Sequence, residues 1–170
     1  MNEYLKNIIT TDLILLDKTS SFLDKDKSTN VTKMSVKRAH GTSIILDSKY
    51  LWVSGGIDLE TERIYASTEL VNVGYTNPGP DLPRPLWRHA MVSVEGDITM
   101  VIGGKNSNGT TIDSDITYIY DHKMKRWTNG PKLNMERHSH AAFVVTDLVT
   151  HERLVIAAGG YQEVSINSTE

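Results

Sequence analysis

With 170 residues and a formal net charge of −3, the chain is long enough for a sizeable core but has no cationic excess to neutralise phosphates or anionic lipid. Nucleic acid and membrane surfaces are therefore not expected as partners. The absence of cysteine excludes disulfides, thiol nucleophiles and thiolate zinc sites; it fits a cytoplasmic chain and is also compatible with secretion.

In chain order, residues 1–33 read as part of a unit that precedes the clearer ones. Thr11-Asp12-Leu13-Ile14-Leu15-Leu16-Asp17, followed by Phe22-Leu23, is expected to supply two outer strands, with Asp24 to Asn30 a solvated loop. The rival is an amphipathic helix from Tyr4 to Leu16; the β-branched residues and the Asp17-Lys18-Thr19 turn favour strands. Glu3 and Asp12 interrupt the apolar stretch, so no signal peptide is expected. No stretch approaches the roughly 20 apolar residues of a membrane span. Asn-x-Ser/Thr triplets at Asn30, Asn108 and Asn167 do not decide the compartment.

Residues 34–83 hold the first full unit. The apolar run Leu51-Trp52-Val53-Ser54 ends at Gly55-Gly56, as a strand buried on both faces does where a Cβ would block a close approach. His40 lies 15 residues upstream of the doublet, with Arg38 just before it. Thr68 to Val71 follows as a strand, Tyr75 is taken as the outer aromatic, and Pro78 to Pro83 closes the unit.

Residues 84–136 repeat this order. Arg88-His89 precedes a hairpin of Val92–Val94 and Thr99–Ile102 around Glu95-Gly96-Asp97, and Gly103-Gly104 ends its second strand. Ile116 to Asp121 is a strand by its aromatic and β-branched density, and His122 to Lys125 turns the chain into a short edge strand, Arg126-Trp127-Thr128. Asn129-Gly130-Pro131 breaks it. Residues 137–170 begin a third unit, with Arg137, His140, the run Leu154 to Ala158 and Gly159-Gly160; the extra length between His140 and this doublet falls in a polar insertion, Asp147 to Arg153. The doublets stand 48 and 56 residues apart, a repeat period that marks four-stranded units.

A Gly doublet, an aromatic strand about a dozen residues on, a later Trp, then Pro-rich sequence and Arg/His together resemble the kelch repeat, from about Met34 to the end of the chain. Tyr75 in place of Trp, and the lack of a Tyr120-Asp121 counterpart in the first unit, depart from the pattern. The resemblance implies an all-β fold of kelch-type β-propeller blades, each of four antiparallel strands, with about three to three and a half blades in 170 residues. Propellers close with about four to eight blades. The ring is therefore expected to be incomplete, with further blades or self-association completing it, and the isolated chain is expected to be marginally stable or to associate.

The chemistry of sites is sparse. His138 and His140, with His122 and His151, have no metal-ligand spacing beyond a repeat landmark, so neither metal nor cofactor is expected. Gly103-Gly104-Lys105-Asn106 lacks the remaining residues of a phosphate loop, and no nucleophile elbow occurs. Among kelch-like enzymes, a copper radical oxidase needs a cysteine that this chain lacks, and the Asp boxes of sialidase-type propellers are absent. A sugar isomerase or epimerase stays as the enzymatic alternative, for which Asp113 and Asp115 form the close acid pair. The family resemblance points instead to protein–protein interaction, as the substrate-recognition part of a ubiquitin-ligase adaptor or as an actin-binding scaffold. Contacts are expected from loops at one end of the blades: Arg63 and Tyr65 in the loop from Ile57 to Tyr65, Arg84 and Trp87 between units, Lys105 and Asn106 in the loop to Asp113, and Tyr161 in the loop to Val164.

Overall fold

A computed structural model describes residues 10–14, 28–106, 114–162 and 164–165. Among them the chain is all-β, without a helix, and every strand pair is antiparallel. The strands are β1 (Thr10–Ile14), β2 (Ser28–Lys33), β3 (Thr42–Leu46), β4 (Tyr50–Ser54), β5 (Thr68–Asn72), β6 (Tyr75–Pro78), β7 (Ala90–Glu95), β8 (Ile98–Ile102), β9 (Thr117–Asp121), β10 (Arg126–Asn129), β11 (Ala141–Thr146), β12 (Arg153–Ala158), β13 (Tyr161–Gln162) and β14 (Val164–Ser165).

Two sheets are complete meanders, β3-β4-β5-β6 and β7-β8-β9-β10, and β1–β2, β11–β12 and the short β13–β14 are two-stranded pairs. The registers repeat. Thr42 faces Ser54, Ala90 faces Ile102 and Ala141 faces Ala158; in the outer pairs Glu69 faces Pro78 and Tyr118 faces Asn129. The first strands of successive sheets lie side by side, β3 against β7 and β7 against β11. The polar insertion is the turn between β11 and β12, where Asp147 Oδ1 accepts from the Val149 and Thr150 N–H groups at 2.7 and 2.8 Å.

The glycine doublets are where one sheet meets the next. Gly55 and Gly103 sit at φ 57° and 58°, and a Cβ there would collide with the carbonyl oxygens of Leu86 and Arg137 respectively. The following glycines use this closeness: the Gly56 N–H donates to Leu86 O at 2.8 Å, and the Gly104 N–H to Arg137 O at 2.9 Å. A second backbone series runs beside it. His40, Arg88 and Ser139 all have positive φ (54°, 56°, 54°), Arg88 N–H donates to His40 O, and Ser139 N–H donates to Arg88 O, both at 2.8 Å.

This series corrects the histidine alignment. His40 is equivalent to Arg88 and Ser139, and it is Gly41 that stands where His89 and His140 stand. In that place a Cβ on Gly41 would come within 2.9 Å of Ser54 O, so the first unit has no room for a histidine. His89, by contrast, is buried against the neighbouring sheet, its Nε2 2.8 Å from Ser54 Oγ. The outer aromatic is also displaced. Tyr75 faces Asn72 as Arg126 faces Asp121, so Thr76, opposite Val71, holds the position of Trp127, opposite Tyr120. Asn30 is not in a loop: Ser28 to Asn30 open β2. Phe22 and Leu23 lie outside the described residues.

Packing follows from strand alternation, which sends successive residues to opposite faces. One face of the second sheet (Met91, Val101, Tyr118, Tyr120) meets Trp52, Leu82 and Leu86. The other (Ala90, Val92, Met100, Ile102) meets Ala157, Ala142, Val144 and Val155 of the third pair. Trp52 is fully buried, with ring centroids 5.4 Å from Tyr120 and 6.0 Å from Trp127, and such pairs add about 0.5–1.5 kcal/mol each beyond area burial. Arg38 and Glu69 form a buried ion pair at 2.8 Å. Around it Arg38 also donates to Gly55 O and Ser67 O, and Glu69 accepts from the Ser35 and Val36 N–H groups, while Arg38 Nε stays buried without a partner among the described residues. In the second sheet Leu86 and Tyr118 occupy the two positions, both within the apolar core.

Candidate functional site

After each glycine doublet the chain makes one more backbone pairing before it leaves the sheet. Ile57 bridges Ala39, Lys105 bridges Trp87 and Tyr161 bridges His138. These bridges carry three of the expected contact residues, Trp87, Lys105 and Tyr161, on equivalent scaffold positions. They also bring in neighbours that the displaced alignment concealed.

The His40 ring lies 5.7 Å from Trp87, the Arg88 guanidinium lies 4.5 Å over the same indole, and His138 stacks on Tyr161 at 5.8 Å with 22° between planes. Set along the His40–Arg88–Ser139 backbone series, these side chains form a strip of two aromatic groups over successive units, in which His138 is buried beneath Tyr161. Tyr161 is 49% exposed, and Trp87 and Lys105 are half-buried. Partial burial, and then the Arg88 charge, hold His40 below its ordinary pKa, so at neutral pH the basic members of the strip are Arg88 and Lys105. The strip is aromatic and basic, presented by main-chain atoms that the fold fixes.

Arg63 and Tyr65 fall elsewhere. Tyr65 is sandwiched by cations, with the Arg38 guanidinium 5.5 Å and that of Arg63 5.4 Å from its ring. Arg63 and Tyr65 line an open cleft of about 450 Å³ together with Ser35, Lys37, Asp58 and Ser67. Lys37 stands 3.7 Å from Glu60 at the cleft's side, so acids and bases are balanced there. Arg84 is half-buried in the connection from β6 to β7, and Asn106 follows the Trp87–Lys105 bridge with its Oδ1 buried and unpartnered among the described residues. Tyr161 and Gln162 are not a loop but strand β13, paired with β14. The expected residues thus divide into the strip (Trp87, Lys105, Tyr161) and the cleft (Arg63, Tyr65). Arg88, His40 and His138, which the sequence marks as repeat landmarks or metal-ligand candidates, are strip members as well.

Of the acid pair, Asp113 lies outside the described residues, and Asp115 is held by Lys132 Nζ at 2.6 Å. His122 faces Thr99 Oγ1 at 2.8 Å and packs edge-on to Trp52 and Tyr120, a core role. A scan against protein-family models and a search of curated proteins both find no match to this chain.

Proposed function

We propose that the chain is a segment of a kelch-type β-propeller whose loop end holds a protein partner and turns over no substrate. Recurrence of a four-stranded antiparallel meander, with Gly doublets at equivalent joints, supports the architectural part of this reading. The observation that carries the functional part is the strip of His40, Trp87, Arg88, His138 and Tyr161: Trp, Tyr and Arg are the residue types enriched at binding hot spots, and here they share one rigid end. By the same resemblance the partner classes are a ligase substrate or actin.

The test compares partner retention by the immobilised chain with that of a Trp87→Ala/Tyr161→Ala double variant. The expected loss is about 10-fold or more in affinity, as for removal of hot-spot anchors. Equal retention by both, with unchanged circular dichroism, would remove the strip from the interface. Arg63→Ala provides the parallel test of the cleft.

A further inference from the structure

The glycine doublets and the strip lie at one end of the sheets. The hairpin turns lie at the other, about 17 Å away along five-residue strands. Two of these turns present apolar side chains to solvent. Between β9 and β10 Met124 is 63% exposed, and between β11 and β12 Leu148 and Val149 are 89% and 88% exposed. In both, an aspartate where the preceding strand ends fixes the tip: Asp121 Oδ1 accepts from the Met124 N–H at 2.8 Å, and Asp147 Oδ1 from the Val149 N–H at 2.7 Å.

Both turns are anchored to the turn between β7 and β8. The His122 N–H donates to Asp97 O at 2.9 Å and Lys123 pairs with the Asp97 carboxylate at 2.5 Å, while the Arg153 guanidinium donates to Val94 O. The Met124 tip and the Leu148-Val149 tip therefore flank one central turn, on neighbouring sheets, at a single end of the molecule.

Their charges are opposite. Lys125 and Arg126 are exposed beside Met124, and Lys123 adds a cation shared with Asp97. Asp147 and Glu152 bracket Leu148 and Val149, and the neighbouring cation, Arg153, is held on the Val94 carbonyl. Charges of one sign around an apolar tip repel a like tip and accept an opposite one. The chain thus carries both halves of a complementary contact. Because both leave the same end, a second copy turned through a two-fold axis sets each basic tip on an acidic one.

We propose that two copies of this chain meet end to end through these turns, about a two-fold axis beside the turn between β7 and β8. Met124, Lys125 and Arg126 of each copy lie against Leu148, Val149 and Glu152 of the other. Every contact then occurs twice, so association stops at the pair. The strip, at the opposite end, stays uncovered, and the pairing does not depend on the role assigned to it. Two short turns per copy are far fewer than the roughly 20–30 residues a side of a stable interface, so the pair is weak and forms at high concentration.

Sedimentation of the unmodified chain from about 10 µM to about 1 mM is expected to show a monomer–dimer equilibrium without larger species. Leu148→Ser/Val149→Ser is expected to weaken it at least about 10-fold, as for removal of apolar anchors, and Trp87→Ala/Tyr161→Ala to leave it unchanged. Charge reversal tests the pairing itself. Lys125→Glu and Glu152→Lys are each expected to weaken association when alone, by juxtaposing like charges. An equimolar mixture of these two variants is expected to recover it, because both unlike pairs then form between the two copies. A chain that stays monomeric, larger oligomers, a dimer indifferent to the turn variants, or a mixture no better than either variant alone would each overturn the proposal. So would a monomer that sediments instead with phosphatidylserine vesicles and loses them on Met124→Ser, which would give the basic tip to a lipid surface. The variants lie on exposed turns, and the unmodified chain decides the matter even where one of them fails to fold.

Discussion

Arg38 and Glu69 show at the residue scale how one position can be solved by two chemistries. In the first sheet the pair is ionic and tied by further hydrogen bonds to the backbone; in the second, Leu86 and Tyr118 do the same packing without charge. Removing one partner leaves an uncompensated buried charge, whereas replacing both with apolar residues is often neutral. Glu69→Ala is therefore expected to cost about 3–5 kcal/mol in a urea titration. The double variant Arg38→Leu/Glu69→Tyr should recover most of that loss; a double variant as unstable as the single would refute the equivalence of the two sites. His89 sets a pH dependence. Burial, with His140 nearby, pushes its pKa down to about 3. The folded state thus keeps it neutral while the unfolded chain takes up a proton below about 6.5. Its contribution is full above that value and is lost as pH falls towards 3. The urea midpoint should drop between pH 6.5 and 4, by up to about 1.4 kcal/mol per pH unit for this group, and His89→Gln should flatten the profile. Burial lowers His40 and His122 as well, in the same direction. The repeat itself was legible in the residues, but the histidine register was not. Residue type misled where spacing did not: Gly41, like His89, stands 14 residues before its doublet, and the positive φ of His40 matches that of Arg88.

The strands were the most readable elements, because Gly doublets end apolar runs and Asn-Gly-Pro or Pro-Gly-Pro ends the outer strand. Edge strands were less so. Tyr75 was mistaken for the counterpart of Trp127 because aromatic character stood in for register; the Asn72-Val73-Gly74 turn is shorter than the turn from His122 to Lys125, which moves the partner to Thr76. There Thr76 meets Thr32 and Lys33, while Trp127 packs on Tyr120 at 4.9 Å. Trp52 links both complete sheets, and Trp52→Ala is expected to cost about 3–5 kcal/mol, read as a loss in unfolding midpoint. The turn between β11 and β12 should behave oppositely. Leu148 and Val149 are 89% and 88% exposed, so Leu148→Ser/Val149→Ser should change stability by no more than about 0.5 kcal/mol. A larger loss would mean that the turn packs against something in solution.

For the molecule as a whole, antiparallel meanders and an all-β class were readable from the repeat, and the candidate surface only in part. Trp87, Lys105 and Tyr161 were picked out as residues of loops at one end of the units, and the fold sets them on equivalent backbone bridges. Arg88 and His138 were missed because a strip is a property of neighbouring units, and sequence places residues within a unit better than between units. Arg63 and Tyr65 were foreseen as loop residues, but their separation into a distinct cleft depends on how the segment Ser35 to Lys37 passes over the first sheet.

The three bridges Ala39–Ile57, Trp87–Lys105 and His138–Tyr161 are formed by the main chain, and the side chains they present range from methyl to indole. Such a joint tolerates a change of vocabulary without a change of grammar. Rewriting the Trp87 and Lys105 positions as Ala and Ile, the pair already used one unit earlier, should leave the melting profile nearly intact while erasing that part of the surface. The frame can in this way display different side chains while the main chain underneath stays put.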